Sequence, residues 1–100
     1  MANKTITFSV TNGDFEYSEL VAGVNPGDKI EWICENGYDF AVHLSRYSPL
    51  NKGRFRGKKS FSADVKNDAE RGIYKYFVAV YDGEKIWTDD PVLIIPPVRG

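Results

Sequence analysis

A chain of 100 residues with 42% hydrophobic and 27% charged residues is sized for one small globular domain and is too apolar for disorder. Its formal net charge of −1 argues against a general nucleic-acid or membrane-surface protein. The single cysteine, Cys34, excludes an internal disulfide and any cluster of thiolate ligands.

The chain opens Met1-Ala2-Asn3-Lys4 and passes directly into strand-like sequence, with no apolar leader and no run long enough to span a bilayer. That opening predicts a cytoplasmic protein, or a periplasmic or secreted one if a signal peptide has been removed. Ile6, Phe8 and Val10 then alternate with Thr5, Thr7 and Ser9, the period-two signature of a strand with one buried face. Asn12-Gly13-Asp14 predicts a turn, and Phe15 to Val24 a less regular second strand with Gly23 as a candidate bulge. Asn25-Pro26-Gly27-Asp28 suits a tight turn, Pro fixing one φ and Gly supplying a positive one.

Ile30, Trp32 and Cys34 share the inner parity of the next strand. After Glu35-Asn36-Gly37, Phe40, Val42 and Leu44 alternate with Ala41, His43 and Ser45. Residues 46 to 60 hold two Gly, one Pro and six basic residues, and the segment predicts a long basic loop. Phe61, Ala63 and Val65 mark a short strand, and residues 68 to 71 a single helical turn.

Tyr74, Tyr76, Val78 and Val80 alternate with Lys75, Phe77, Ala79 and Tyr81; apolar residues on both faces predict a strand central in its sheet. Asp82-Gly83 is a hairpin signal leading into Ile86-Trp87-Thr88. Val92 to Ile95 forms the last strand, stopped by Pro96-Pro97.

Seven or eight short strands at about ten-residue spacing predict an all-β fold, a two-sheet Greek-key sandwich filling residues 1–100 as one domain. Aromatic side chains supply most of its core, each removing about 150–250 Å² from water, at about 25 cal/mol per Å².

Two segments carry a more specific pattern. Pro26-Gly27-Asp28-Lys29-Ile30-Glu31-Trp32 and Gly72-Ile73-Tyr74-Lys75-Tyr76, followed by the closing Val92 to Ile95 strand, resemble the cupredoxin family of plastocyanin-like copper proteins. The likeness runs over residues 21 to 95 and implies a cupredoxin-like β-sandwich. It also implies a copper held by two His, one Cys and usually a Met, imidazole and thiolate being suited to that metal. The corresponding positions here are Phe40 and Val78 for the first His and the Cys, Tyr81 for the second His, and Ile86 or Trp87 for the Met. None carries the family's donor. The sequence therefore implies no metal and no other cofactor, with an apolar plug of Phe40, Val78, Tyr81 and Ile86 or Trp87 converging at one end.

Other constellations carry little chemistry. Cys34 follows the inner parity and lacks a neighbouring base, as a buried thiol would. His43, Ser45 and Asp39 share one strand and cannot converge as a triad. The acidic residues Asp82, Glu84, Asp89 and Asp90 match no calcium-loop spacing. No catalytic group is expected. The candidate partner surface comprises Phe40, Tyr81 and Trp87 at the sandwich end and Arg54 and Arg56 in the basic loop. These imply a non-enzymatic binding module for a protein, small-molecule or glycan partner, not for nucleic acid. A carbohydrate-binding module using exposed Trp and Tyr, and a subunit of a homo-oligomer or larger assembly, are the alternatives.

Overall fold

A computed structural model describes residues 3–44, 48–51 and 53–96, which form ten β-strands and no helix. The strands are β1 (Asn3–Thr11), β2 (Asp14–Tyr17), β3 (Val21–Gly23), β4 (Lys29–Cys34) and β5 (Asp39–Leu44), then β6 (Arg54–Lys58), β7 (Ser60–Asp64), β8 (Gly72–Tyr81), β9 (Ile86–Asp89) and β10 (Val92–Ile95).

The first sheet runs β2-β1-β4-β7, with β1 and β4 parallel and the other neighbours antiparallel. In the second, β6, β5 and β8 are neighbours in that order. The far edge of β8 is shared: its second half pairs with β9 and its first half with β10, which in turn pairs in parallel with β3. Pro91 marks the break between β9 and β10, and its carbonyl still accepts a hydrogen bond from the Tyr76 amide at 3.0 Å. The sheets join at one corner, where β6 turns into β7 through Lys59 at φ +78°.

The turns follow from the residues in them. Asn12 (φ +51°) and Gly13 (φ +87°) are the two left-handed residues of a two-residue hairpin loop, the geometry that matches the twist of the strands it joins. Pro26 and Gly27 occupy the centre of a second turn. Gly27 has φ +86°, the Asp28 amide donates to the Asn25 carbonyl at 3.1 Å, and the Asp28 carboxylate accepts from the Asn25 amide.

Alternation places Ile6, Phe8, Ile30 and Trp32 of the first sheet against Phe40, Val42, Tyr76, Val78 and Val80 of the second, all buried. Two contacts tie the layers. The Trp32 indole N–H donates to the Tyr76 hydroxyl at 3.3 Å, and Phe8 meets Phe40 edge-to-face at 4.9 Å between centroids. Burial pushes the Tyr76 phenol up to about 12, the Trp32 hydrogen bond offsetting part of the rise. It is neutral in the folded state.

Three expectations change in detail. The second strand divides in two: β2 pairs with β1 in the first sheet, then Ser18–Leu20 carries the chain across to β3 in the second. The long basic loop contains β6, whose Arg54-Phe55-Arg56 alternation is that of a strand at a sheet margin. Both changes raise the expected seven or eight strands to ten. No helical turn forms at 68–71; a plain turn stands earlier, over residues 66 to 69, closed by the Ala69 amide on the Lys66 carbonyl at 3.2 Å.

Candidate functional site

The end of the sandwich beside the β8–β9 hairpin is closed by packing. Phe40 (4% exposed) lies beside Phe61 at 5.3 Å between centroids as well as against Phe8. A Cβ on Gly57 would stand 3.0 Å from the Phe40 ring, so the missing side chain is what lets that ring settle under β6. Val80 pairs directly with Phe40, and Val78 pairs with Val42 one row deeper.

Trp87, opposite Val80 on β9, is half-buried and turned inward across the first hairpin; a Cβ at Gly13 would come 2.8 Å from its ring. Its indole N–H donates to the Asp82 carboxylate at 2.9 Å. The other oxygen of Asp82 accepts the Glu84 and Lys85 amides at 2.8 and 2.7 Å. Those backbone and indole donors, the Lys85 amide foremost, hold the Asp82 carboxyl down to about 2. On the flank, Tyr17 of β2 buries its hydroxyl near the Asp89 carboxylate. Burial, followed by that carboxylate, raises its pKa well above the ordinary phenol value.

The outer faces of the two sheets contrast. On the first, the rows are mainly polar: Thr5 beside Glu31 and Ser62, and a half-buried Ile33 flanked by Thr7 and Ser60. On the second, β8 presents Ile73 (73% exposed), Phe77 (54%) and Tyr81 (50%), and Ile86 (69%) stands beside Tyr81 on β9. Register sets three rows across this face, since directly paired residues share a side. They run Arg54–His43–Phe77, then Arg56–Ala41–Ala79–Thr88, then Lys58–Asp39–Tyr81–Ile86. The paired alanines of the middle row leave a shallow groove of about 660 Å³, walled by Arg56 and Lys58 on one side and by Tyr81 and Ile86 on the other.

The sequence-derived site residues thus separate. Tyr81 and Arg56 line one groove, which the nearly buried Phe40 also borders, and Arg54 stands in the next row on the same strand. Phe40 and Trp87 face inward on the other side of the sheet, so Tyr81 and Trp87 form no common aromatic platform. Tyr81 leaves the expected plug because β8 stays a strand up to its pairing with Ile86; three residues beyond Val78, it points the opposite way. Ile86 leaves it for the same reason. Ser45, together with Arg46, Tyr47 and Lys52 of the basic segment, lies outside the described residues. Sequence reasoning missed Ala41, Ala79, Phe77 and Ile73; the two-sided apolar pattern of β8 carried the signal of the last three, and Ala41 on β5 had none.

No family model matches the chain, and no curated protein matches it. Among solved structures, it superposes on a purple cupredoxin from Nitrosopumilus maritimus with a TM-score of 0.58 and 14% identity, over 93% of this chain and 99% of that one. A pseudoazurin from Sinorhizobium gives a TM-score of 0.58 at 10% identity, over 97% and 76% of the two chains. An oxidised mutant of amicyanin gives 0.55 at 16%, over 92% and 82%. The chain has the cupredoxin fold.

The side chains at the positions of a cupredoxin copper site are poor donors. Where the resemblance places the ligands, Phe40 and Val78 offer hydrocarbon, and Ile86 points out. The indole of Trp87 can only donate, and Tyr81 points out with its hydroxyl donating to the Gly83 carbonyl at 3.0 Å. The one cysteine is buried on β4, where its thiol approaches the Asn36 side-chain oxygen at 3.8 Å, and the one histidine, His43, is exposed on the outer face of β5. Among the described residues, no three His, Cys, Asp or Glu side chains gather as a metal site. This donor set does not fit a type-1 copper ion.

Proposed function

We propose that this chain is a non-enzymatic interaction module on a cupredoxin scaffold, that it does not take up type-1 copper, and that it binds through the outer face of its second sheet. The observation that carries the reading is the placement of apolar side chains. Phe40 and Val80 fill the sandwich end, while Phe77, Tyr81 and Ile86 stand in solvent beside an alanine-floored groove. Bare apolar surface of this kind is costly to leave in water, and contiguous patches of it mark interaction sites. The polar outer face of the first sheet, built on the same alternation, supplies the contrast.

Trp87 turned inward weighs against a glycan platform, for which two coplanar exposed rings would be wanted. His43 on the outer face and Cys34 in the core weigh against a nucleophile–base pair. Adding Cu(II) to the purified protein while recording visible absorption and the thermal melt tests the copper-free part. No thiolate-to-copper band and an unchanged melting temperature are expected; an intense band with thermal stabilisation would overturn it.

A further inference from the structure

The charge around the outer-face groove says more than the groove itself, provided that face is the docking surface of the proposed function. Arg54, Arg56 and Lys58 project from β6 on one side, each opposite a β5 residue of the same row. Alternate residues of a strand lie about 6.6 Å apart, so these three cations form a ladder with the spacing of alternate side chains in any extended segment. The ion pairs among the described residues are Lys4–Glu19 and Lys75–Asp90; none of the three ladder cations belongs to one.

Charged residues on a marginal strand have a bland use, which is to discourage edge-to-edge pairing. That use does not explain why the neighbouring rows bare Phe77 and Ile86, since an aggregation guard is wasted beside an uncovered apolar face. Cations along one wall, small side chains on the floor and large apolar ones on the opposite wall make an amphipathic slot. Asp39 stands inside it, between Lys58 and Tyr81, and Asp82 and Glu84 follow β8 just beyond its Tyr81 end. These carboxylates restrict where a ligand's negative charge can lie. A nucleic-acid backbone, charged at every residue, would meet them. A chain charged along one side only would not.

We propose that the groove docks an extended segment of a partner protein that is acidic along one side and apolar along the other. Its carboxylates face Arg54, Arg56 and Lys58. Its bulky apolar side chains rest on the Ala41–Ala79 floor and against Phe77 and Ile86. Charge-assisted contacts to exposed Arg and Lys set register and speed encounter, while the buried apolar contacts hold the complex.

The test is an amide NMR titration of the whole chain with a random copolymer of Glu and Tyr, and separately with a matched copolymer of Lys and Tyr. The Glu–Tyr copolymer is expected to shift the amides of residues 39–41, 54–58 and 77–81, with affinity falling as salt rises. The Arg56→Ala/Lys58→Ala double variant and the Ile86→Ser variant should each weaken it at least tenfold. Both change exposed side chains, and unchanged spectra of the free variants verify their folds. Absence of shifts, shifts elsewhere, or indifference to the double variant overturns the proposal. Equal shifts from the Lys–Tyr copolymer keep the docking face and remove its acidic specificity. Equal shifts from polyuridylate make the ligand a nucleic acid instead. Light scattering on the free protein reads the remaining occupant: a dimer lost in Ile86→Ser would make it a second copy of this chain. Copper uptake would overturn the copper-free reading while leaving these shifts untouched.

Discussion

Asp82 shows how much one side chain can organise at the end of this sandwich. Its two oxygens collect the Trp87 indole and the amides of Glu84 and Lys85, so a single carboxylate closes the β8–β9 hairpin and fixes the ring that seals the gap beside Gly13. The ionised form makes those hydrogen bonds best, which is why the carboxyl is held down to about 2. An unfolded Asp titrates near about 3.9. With the folded value the lower one, the stabilisation is complete above the unfolded value and is lost as pH falls through the folded one. Melting temperatures measured from pH 5 to pH 2 should therefore drop more steeply for the natural protein than for Asp82→Asn. Parallel curves would mean that the carboxylate charge is not what holds the hairpin. Sequence showed Asp82-Gly83 as a hairpin turn, but not the indole bond, because that depends on which way Trp87 faces.

At the scale of elements, the two sheets are coupled through aromatic side chains from β1, β4, β5 and β8. Tyr76→Phe would remove the acceptor of the buried Trp32 N–H and leave that donor unpaired, a loss of about 1–3 kcal/mol in chemical denaturation. An unchanged midpoint would show that the bond contributes nothing net. The inner face of each long strand was legible from alternation alone: Ile30, Trp32 and Cys34, or Tyr76, Val78 and Val80, are buried as their spacing implies. Less legible was where a strand stops. Residues 54 to 58 carry three cations and a glycine, which reads as loop, yet pairing with β5 fixes them as β6. That pairing is non-local, so no window of sequence contains it. The same limit misplaced Tyr81, whose direction depends on how far the β8–β9 ladder runs before the turn.

On the scale of the whole molecule, a scaffold shared with copper proteins presents its features in a different arrangement. The end that donors would occupy is hydrocarbon, and large apolar residues appear on one outer face. If those residues served stability, truncating them would cost as much as core changes do. Ile86→Ser and Phe77→Ser should instead shift the free energy of unfolding by no more than about 0.5 kcal/mol, as exposed substitutions do. A loss of several kcal/mol from either would make that face part of the packing. The fold itself was readable because turn residues and alternation agreed with two strand motifs in order. The outer-face groove was not, because its rows are assembled from β5, β6, β8 and β9 by register.

The most direct check is solvent paramagnetic relaxation, using a soluble neutral gadolinium chelate and side-chain signals assigned by NMR. Strong broadening is expected at Ile73, Phe77, Tyr81 and Ile86, with Phe40, Val78 and Val80 spared. Broadening of Phe40 and Val80 to the same degree, or protection of Tyr81 and Ile86, would contradict a sealed end and an open apolar face.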